Sequence, residues 1–534
     1  LAEQTGHCIP IRLVKGAYWD TEVKLAQVEG LDGYPVFTRK AATDVSYLAC
    51  AHKLLQSPEQ FYPQFATHNA HTIAAIQAFA PRSEGHEYQR LHGMGVELYD
   101  EVLDNADYVN AIRVYAPVGA HKDLLPYLVR RLLENGANTS FVNQVVDAKI
   151  SVQDVVGDPV AALKASGATP HPKIPLPVDL YGAHRKNSQG INFAQLSERE
   201  ALAKAWAEWA QNHWSGGYRG SVELPQAPSR VLVRAPGHTD RVVGEVDAVD
   251  PAQAGRIIEA ALSAQVAWDE AGIEHRAQCL DQMADALEDH RNEFIVLCAQ
   301  EAGKTLRDGI AEVREAADFC RYYAAEARSG MATPIELPGP TGEHNALEYR
   351  GRGLFVCISP WNFPLAIFVG QVAAALVTGN AVVAKPAEQT TLTATRAVEL
   401  FHAAGVPRGV LHGVPGDGAM GQALTEHDAV SGVAFTGSTA TARSIARSLL
   451  DRPSAPLATL IAETGGQNAM IVDSSALPEQ VIDDVIASAF LSAGQRCSAL
   501  RVLCLQEDIA EGMIEMLQGA MAELQIGPPH ELTS

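Results

Sequence analysis

The stretch IPIRLVKGAYWDTEVKLAQVEG, residues 9–30, carries a pattern that recurs through the first 150 residues of the chain. A short apolar run, typical of a buried strand, is followed by an amphipathic helical repeat. Four similar units follow, and the next two read PVFTRK before DVSYLACAHKLL and QFATHN before HTIAAIQAFA. Such alternation predicts parallel strands joined by crossover helices. Because no glycine-rich nucleotide loop interrupts the units, we predict part of a (β/α)8-type barrel.

The bulk composition limits the classes of protein to consider. The 534 residues exceed a single hydrophobic core and suggest several domain-sized units. A formal net charge of −22 argues against a nucleic-acid surface in this chain. No apolar run reaches the roughly 18–20 residues that span a bilayer.

The cysteines are scattered rather than clustered. The eight of them form neither a CxxC pair nor a His/Cys group with zinc spacing. We therefore expect a reducing, cytoplasmic setting and no disulfide scaffold. Cys357 and Cys504 lie in apolar, strand-like runs, and we expect both to be buried.

Polar side chains gather where the first strands end. These residues are Lys15, Tyr18, Arg39, Lys40, His68, Asn69 and Tyr115. The carboxyl ends of the strands form the active-site rim of a (β/α) barrel. Any one of these side chains could instead be a solvated helix cap, but the whole set favours a binding site.

Two adjacent arginines lie in YLVRRLLENG, residues 127–136. On a helix, Arg130 and Arg131 point about 100° apart, so one can reach a barrel mouth while the other flanks it. Guanidinium groups suit a carboxylate because they donate paired hydrogen bonds. The alternative is a surface pair in which Arg130 bridges Glu134 at i,i+4. Taken alone, the pair fits this surface interpretation better.

Six motifs change that balance. KGAYWD, TRKAATD, FATHNAHT, LHGMG, YAPVG and YLVRRLLENGAN occur in this order between residues 15 and 138. Together they resemble the later half of the proline dehydrogenase barrel in the proline utilization A family. The resemblance implies FAD as cofactor, a proline carboxylate bound by Arg130 and Arg131, and Tyr115 against the substrate ring. The residues it places along the flavin are Arg12, Lys15, Tyr18, Trp19, Thr38, Lys40, His68 and Glu134.

The C-terminal half carries five further motifs. They are ISPWNFP (358–364), VVAKPAEQT (382–390), AFTGSTATA (434–442), ETGG (463–466) and GQRCSA (494–499). The TGST turn opens a helix, where free N–H groups and the helix dipole favour a diphosphate. Lys385 and Glu388 offer a donor and an acceptor for ribose hydroxyls.

The same motifs contain the groups for acyl chemistry. Cys497 can act as a nucleophile once a nearby cation or a bound nicotinamide favours its thiolate. The Asn362 side-chain amide and the Cys497 backbone N–H are candidate oxyanion-hole donors. Glu463 is a candidate general base for water or the thiol.

This ordered set resembles the aldehyde dehydrogenase superfamily from residue 225 to the end. The resemblance implies cysteine attack on an aldehyde, hydride transfer to NAD and release of the acid by glutamate-assisted water. The predicted cofactor-binding residues are Ser359, Trp361, Lys385, Glu388, Gly416, Thr436, Gly437 and Ser438. GDGAMG (416–421) matches GxGxxG, but no acidic residue follows at a convincing position. We therefore interpret this turn as packing with partial cofactor contact.

The two resemblances define a predicted domain order. Residues 1–155 form the C-terminal part of the proline dehydrogenase barrel, and 156–224 a linker. Residues 225–490 form the Rossmann-like NAD-binding domain of an aldehyde dehydrogenase, and 491–534 the start of its catalytic domain. We expect an α/β protein truncated at both ends. Its start lies within a strand-like run, and the aldehyde dehydrogenase resemblance implies that the rest of the catalytic domain follows residue 534.

Both halves together match the bifunctional proline utilization A family. This implies oxidation of L-proline to 1-pyrroline-5-carboxylate with FAD, then oxidation of glutamate semialdehyde to L-glutamate with NAD. It also implies membrane quinone as electron acceptor, peripheral membrane contact, substrate channelling and a homodimer or higher homo-oligomer. The alternative is the same enzyme acting also as a transcriptional repressor, through a DNA-binding module N-terminal to Leu1. A barrel without activity is a further alternative, against which Tyr115 and the arginine pair argue.

Replacing Arg131 by Met tests the predicted carboxylate site. A hydrogen bond to a charged group contributes roughly 1.5–3 kcal/mol, so the KM for proline is expected to rise about 10- to 100-fold with flavin retained. Steady-state proline oxidation and the flavin absorbance measure the two quantities. A fall in kcat at unchanged KM would contradict carboxylate binding.

Overall fold

The computed structural model describes residues 2–16, 18–80, 85–105, 110–120, 124, 127, 156–227 and 229–534. The chain separates into two compact units, Leu1–Leu180 and Tyr181–Ser534. Arg130, Arg131 and Glu134 lie outside the described residues, so their predicted roles stay predictions. The predicted domain boundaries at 155, 224 and 490 also stay predictions.

In the described part of the first unit, four strands form one parallel sheet, in which they are neighbours in chain order. The strands are β1 (Ile9–Leu13), β2 (Phe61–Ala66), β3 (Glu87–Leu91) and β4 (Ala111–Tyr115). Each strand pairs in parallel with the next one along the described chain, the arrangement of successive strands in a barrel wall. The prediction of parallel strands joined by crossover helices is thereby confirmed.

Helices pack on this sheet around a small aromatic core. Phe65, Tyr88, Ile73 and Tyr99 are fully or almost fully buried in one cluster. The helices described in this unit are Ala2–Thr5, Trp19–Val28, Lys40–Leu55, Ala70–Phe79, Val96–Asp104 and Pro159–Ala165, with a 3-10 turn at Pro177–Asp179. PVFTRK, predicted as a strand, forms bends that lead into the helix Lys40–Leu55. Arg39 is the N-cap of that helix, and its carbonyl accepts from Ala42 N and Thr43 N instead of entering a strand ladder.

The second unit is built on a parallel sheet of five strands in the order β12-β11-β10-β13-β14. These strands are β10 (Leu354–Ile358), β11 (Ala381–Lys385), β12 (Leu411–Gly413), β13 (Val430–Gly437) and β14 (Thr459–Thr464). The chain adds strands outward from β10 on one side and then returns to its other side. The order therefore reverses between β10 and β13, and in an open α/β sheet the crevice at such a point binds the ligand.

The other described strands of this unit form three smaller sheets. Here β5 (Trp214–Gly216) pairs in parallel with β7 (His238–Asp247), and β6 (Arg230–Ala235) pairs with it in antiparallel fashion. The hairpin β8 (Ile335–Leu337) and β9 (Asn345–Leu347) and the parallel pair β15 (Asn468–Val472) and β16 (Leu500–Leu505) complete the set. The strands predicted in SRVLVRAPG and RVVGEVDAVD correspond to β6 and β7 and are confirmed.

Helices cover the five-stranded sheet and connect its strands. The described helices of this unit are Leu196–Trp209, Ala254–Glu270, Ile273–Asp289, Arg291–Ala302, Leu306–Gly330, Ala366–Val377, Thr391–Ala403, Gly418–Thr425, Thr439–Leu450, Pro478–Phe490 and Glu507–Ala522, with 3-10 turns at Pro251–Gln253, Glu388–Thr390 and Leu491–Gly494. Every residue of β11 is buried, as expected for a parallel strand with helices on both faces. Among the described helices, none combines the length and the apolar character needed to cross a bilayer.

A buried carboxylate supports the start of one of these helices. Glu301 accepts hydrogen bonds from Leu392 N at 2.7 Å, Thr393 N at 2.9 Å and Thr393 Oγ1 at 2.6 Å. The first N–H groups of a helix have no partner within the helix, so an external acceptor is needed when this end is buried. Burial raises the pKa of Glu301 to about 7, although these hydrogen bonds act in the opposite direction.

The raised pKa predicts a pH-dependent stability. Between its ordinary pKa of 4.5 and about 7, Glu301 holds its proton in the folded state and releases it on unfolding. Its contribution to the free energy of unfolding therefore falls as the pH rises through this range. Glu301→Gln does not titrate, so the melting temperature of the variant minus that of wild type should increase from pH 5 to 7.5. Thermal unfolding measures this, with the exposed Glu259→Gln as control; a difference independent of pH would contradict it.

Candidate active sites

In the first unit, the predicted flavin residue Arg12 meets the predicted substrate residue Tyr115. Arg12 lies on β1 and Tyr115 is the last residue of β4. Arg12 Nη2 donates to the Tyr115 hydroxyl at 2.7 Å, and its guanidinium carbon lies 4.9 Å from the ring centroid. The side chains from the first and last of these four strands thus meet above the sheet.

A network of side-chain hydrogen bonds on the other strands of the sheet orients Arg12. Its Nε donates at 2.8 Å to Gln89 Oε1 on β3, and Gln89 Nε2 donates at 2.8 Å to Glu87 Oε1. Both oxygens of Glu87 also accept from Arg113, each at 2.8 Å, and Gln64 Nε2 donates to Glu87 at 3.0 Å. The hydrogen bonds from Arg113 hold the pKa of Glu87 below its usual range. This network was not predicted from the sequence, although the polar residues Glu87, Gln89 and Arg113 within strand-like runs indicate it.

Lys15 and Lys40 share one carboxylate. Lys15 Nζ donates to Asp44 Oδ1, and Lys40 Nζ lies 2.7 Å from Asp44 Oδ2. Burial lowers the pKa of Lys15 despite the nearby Asp44 charge. Burial also opposes ionisation of Asp44, but the two lysines together keep its pKa below the ordinary value. The role of Asp44 was not predicted from the sequence, although its i,i+4 spacing from Lys40 indicates such a contact.

Three other predicted flavin residues form hydrogen bonds with backbone atoms. Leu91 N donates to His68 Nε2 at 3.2 Å, and Trp19 Nε1 donates to Phe37 O at 2.8 Å. Thr38 Oγ1 accepts from His171 N at 2.9 Å. Tyr18 precedes the helix Trp19–Val28 and is more than half exposed. The structure thus pairs Arg12 with Tyr115 and joins Lys15 to Lys40 through Asp44. His68, Trp19 and Thr38 bond instead to backbone atoms of Leu91, Phe37 and His171.

In the second unit, the predicted residues follow the carboxyl ends of the five-stranded sheet. Ser359, Asn362 and Trp361 follow β10, Lys385 ends β11, and Glu388 opens the 3-10 turn after it. Lys385 is buried, and its Nζ donates to Pro386 O at 3.0 Å. Burial lowers its pKa, opposed by the charges of Glu388 and Asp417.

The glycine turn packs beside Lys385. A Cβ on Gly416 would lie 2.5 Å from the Cβ of Met420, and one on Gly421 would lie 3.6 Å from Lys385 Cδ. Asp417 caps the helix Gly418–Thr425 by accepting from Ala419 N at 2.9 Å. These contacts give Gly416 a packing role and place the turn within reach of any group bound at Lys385.

The TGST turn has the form of an anion site. Thr436 and Gly437 end β13, and Ser438 caps the helix Thr439–Leu450 by accepting from Thr441 N at 3.1 Å. Gln371 Nε2 donates to Thr436 Oγ1 at 3.0 Å, which orients that hydroxyl. The N-terminus of a helix at the carboxyl edge of a parallel sheet suits a diphosphate. These residues therefore fit a dinucleotide.

The nucleophile segment meets the Asn362 loop. Cys497 is exposed and lies between the 3-10 turn Leu491–Gly494 and β16. Asn362 Nδ2 donates to Gln495 O at 2.7 Å, two residues before Cys497. Glu463, also exposed, is the penultimate residue of β14 and pairs in register with Thr436. The structure thus joins Asn362 to the Cys497 segment and places Glu463 beside the TGST turn.

Asn468 is a residue that the sequence analysis missed. Its Nδ2 donates to the Cys497 carbonyl at 2.7 Å and to the Ala499 carbonyl at 3.0 Å. It follows ETGG by two residues, so its place beside that motif was a possible signal.

The expectation for Cys357 is confirmed by its burial, whereas the one for Cys504 is wrong, since Cys504 is exposed on β16. That strand has only β15 beside it in the described chain.

Comparison with known proteins agrees with both halves. Residues 1–144 match the family Proline dehydrogenase and residues 225–534 the Aldehyde dehydrogenase family. The chain is 49% identical to the Bifunctional protein PutA of Escherichia coli strain K12, over 100% of this chain and 40% of that protein. It is 34% identical to the 1-pyrroline-5-carboxylate dehydrogenase of Bacillus subtilis strain 168, over 58% of this chain and 60% of that protein. The chain thus spans about two fifths of the PutA relative.

Solved structures show the same similarity. A crystal structure of PutA from Bradyrhizobium japonicum matches 99% of this chain and 50% of its own, with 51% identity and a TM-score of 0.89. PutA from Bdellovibrio bacteriovorus, inactivated by N-propargylglycine, matches 99% and 55% with 34% identity and a TM-score of 0.91. 1-Pyrroline-5-carboxylate dehydrogenase from Thermus with bound NAD matches 64% and 68% with 31% identity and a TM-score of 0.62. The chain therefore belongs to the aldehyde dehydrogenase family over residues 225–534 and carries a proline dehydrogenase domain in residues 1–144.

Proposed function

We propose that the protein carries out two consecutive oxidations. The first converts L-proline to 1-pyrroline-5-carboxylate with FAD, and water then opens the ring to glutamate semialdehyde. The second converts that aldehyde to L-glutamate with NAD. The observation that carries the proposal is the hydrogen bond from Asn362 Nδ2 to Gln495 O, because it places an amide donor beside Cys497.

The first site is proposed at the carboxyl ends of β1 to β4. Lys15 and Lys40 supply the cationic groups that a flavin diphosphate requires. Arg12 and Tyr115, held by the Glu87 network, face the same rim. FAD, when bound, takes up the hydride that proline loses from carbon, while the ring nitrogen gives up a proton. In this proposal Tyr115 contacts the substrate ring and Arg12 orients its hydroxyl.

At the second site, the Cys497 thiolate attacks the aldehyde carbon and the carbonyl oxygen becomes an oxyanion. A primary amide has two N–H donors. Asn362 uses one on Gln495 O, which fixes its plane, so the other can donate to the oxyanion together with Cys497 N–H. Asn468 holds the Cys497 carbonyl, so that the peptide bearing the nucleophile keeps its orientation.

The second half of the reaction releases the acid. NAD, when bound, accepts the hydride that the substrate carbon loses as it becomes a thioester on Cys497. In the proposal, Glu463 then takes a proton from water, the resulting hydroxide adds to the thioester carbon, and Cys497 leaves as thiolate. The TGST turn, Lys385 and Glu388 would hold the diphosphate and a ribose. Ser359, Trp361 and Gly416 lie on the adjoining loops.

The remaining partners follow from the family resemblance. We propose membrane quinone as the acceptor of the electrons from proline, reached by peripheral contact from the cytoplasm. We also propose a homodimer or higher homo-oligomer. Sedimentation of the purified protein with and without quinone-containing vesicles tests the peripheral membrane contact, and its sedimentation coefficient in free solution tests the oligomeric state.

Replacing Cys497 by Ala separates the two reactions. In the full-length gene product, supplied with L-proline, NAD and an artificial electron acceptor, NADH formation should disappear because the thioester cannot form. Acceptor reduction should stay within about twofold of wild type, since the two active sites act independently. Absorbance measures both signals, with the exposed Cys504→Ala as control. Loss of both signals in Cys497→Ala alone would refute the two-site proposal.

Replacing Asp44 by Asn tests the proposed flavin site. The variant loses the carboxylate that holds Lys15 and Lys40, so the cations are no longer oriented toward a diphosphate. Flavin content should fall by about two- to tenfold, a cost of roughly 0.5–1.5 kcal/mol. The ratio of flavin to protein absorbance measures it, and the exposed Asp100→Asn is the control. Equal flavin content in both variants would show that Asp44 has no such role.

A further inference from the structure

The first two turns of the helix Leu306–Gly330 contact both parts of the proposed aldehyde-oxidising site. Asp308 and Glu312 are four residues apart, so both lie on one face of this helix, separated by about 6 Å along its axis. Asp308 contacts the chain before Cys497, and Glu312 contacts the chain after Asn362. Neither residue belongs to the sequence motifs assigned above.

Glu312 supports the loop that carries Asn362. Its side chain is 1% exposed, and its Oε2 accepts from Leu365 N at 3.1 Å and Ala366 N at 2.9 Å. These N–H groups begin the helix Ala366–Val377. Since Leu365 follows Asn362 by three residues, Glu312 fixes the end of the loop on which the amide donor lies.

Lys304 neutralises this buried carboxylate and contacts the same loop. Its Nζ lies 3.1 Å from Glu312 Oε1 and 4.6 Å from the centroid of the Phe363 ring. The Lys304 side chain is 7% exposed. A buried cation over an aromatic face attracts the ring, so Phe363, directly after Asn362, is held from a second direction.

Asp308 supports the segment that carries Cys497. Its Oδ1 accepts from Ser492 Oγ at 2.8 Å, and its Oδ2 accepts from Thr305 Oγ1 at 2.9 Å. Thr305 in turn caps the helix by accepting from Asp308 N at 3.2 Å. Ser492 and Ala493 both have φ of 53°, which is unfavourable for residues with a Cβ and needs support from neighbouring contacts.

The supporting helix is itself fixed by close packing. A Cβ on Gly309, between Asp308 and Glu312, would lie 3.2 Å from Ile295 Cα. A Cβ on Gly370, in the helix Ala366–Val377, would lie 2.9 Å from Phe319 in the supporting helix. Such close approach leaves the helices little freedom to slide, because packed cores do not deform continuously.

We propose that Asp308 and Glu312 are positioning residues that hold the nucleophile segment and the Asn362 loop at a fixed separation. The inference rests on the proposed aldehyde oxidation. One helix face sets the separation between the Cys497 thiol and the Asn362 amide, on which transition-state stabilisation depends. Neither residue touches the substrate in this arrangement.

Matched variants separate this role from a general effect on stability. Lys304→Met with Glu312→Gln removes both charges but keeps an oxygen for the Leu365 and Ala366 N–H groups. Lys304→Met with Glu312→Leu removes the charges and the acceptor. Asp308→Asn keeps an acceptor for Ser492, whereas Asp308→Ala does not. Glu301→Gln alters the start of the helix Thr391–Ala403, away from the Asn362 loop, and serves as the control.

Two measurements on the full-length gene product do not require the aldehyde substrate. Hydrolysis of 4-nitrophenyl acetate tests the thiol and the oxyanion donors, with Cys497→Ala as the background. Iodoacetamide labelling, followed by peptide mass spectrometry, gives the reactivity of Cys497 in the same sample as that of the buried Cys298 and Cys320. Labelling of these buried thiols reports general unfolding.

For the ester, we expect kcat of the double variant Lys304→Met/Glu312→Leu to be about tenfold lower than that of Lys304→Met/Glu312→Gln. We also expect kcat of Asp308→Ala to be about tenfold lower than that of Asp308→Asn. The rate of Cys497 labelling should change at least about threefold in Lys304→Met/Glu312→Leu and in Asp308→Ala. In Glu301→Gln it should change less than about twofold. Cys298 and Cys320 should stay protected in every variant. Equal rates of ester hydrolysis in the two double variants, and in Asp308→Ala and Asp308→Asn, would overturn the inference. A loss accompanied by labelling of the buried thiols would also overturn it, by showing a structural role only. If wild type hydrolyses the ester but forms no NADH from glutamate semialdehyde, the proposed substrate is wrong. The ester and labelling measurements then still decide whether Asp308 and Glu312 are positioning residues.

Discussion

The site of the second unit depends on buried carboxylates that accept hydrogen bonds from helix N-termini. Glu312 binds the start of the helix after β10, and Glu301 binds the start of the helix after β11. Without these acceptors, each buried N–H group would cost about 1–3 kcal/mol. Since the helix after β10 begins directly after the loop that carries Asn362, the hydrogen bonds of Glu312 that stabilise the fold also place Asn362.

The sheet of the first unit likewise depends on hydrogen bonds between polar side chains. Its strands carry charged and amide side chains on one face, and the buried ones, Glu87 and Gln89, must find partners. Arg113, Glu87, Gln89 and Arg12 satisfy one another in a chain that ends at the Tyr115 hydroxyl. Gln89 links Arg12 to Glu87, so the orientation of Arg12 depends on residues two strands away.

Much of the candidate site could be predicted because strand–loop–helix units are encoded locally. Apolar runs predicted the strands, and Ser359, Lys385 and Thr436 are found at their carboxyl ends, as expected. Short-range patterns did not predict partners from other units. Asn468 and Asp308 were missed because an amide or a carboxylate in a polar stretch has no local feature that distinguishes a support from a solvated side chain. PVFTRK was wrongly predicted as a strand because Val36 and Phe37 form a short apolar run, whereas its last residues belong to the start of a helix.

The sequence by itself determined which chemical groups are present and the type of element on which most of them lie. These follow from periodicity and turn residues over a few positions. Only the tertiary structure decided the strand order β12-β11-β10-β13-β14 and the pairs that meet across it. Arg12 reaches Tyr115 across 103 residues and Asp308 reaches Ser492 across 184. Such contacts depend on how whole helices and sheets pack, and many side chains far apart in sequence contribute to that packing.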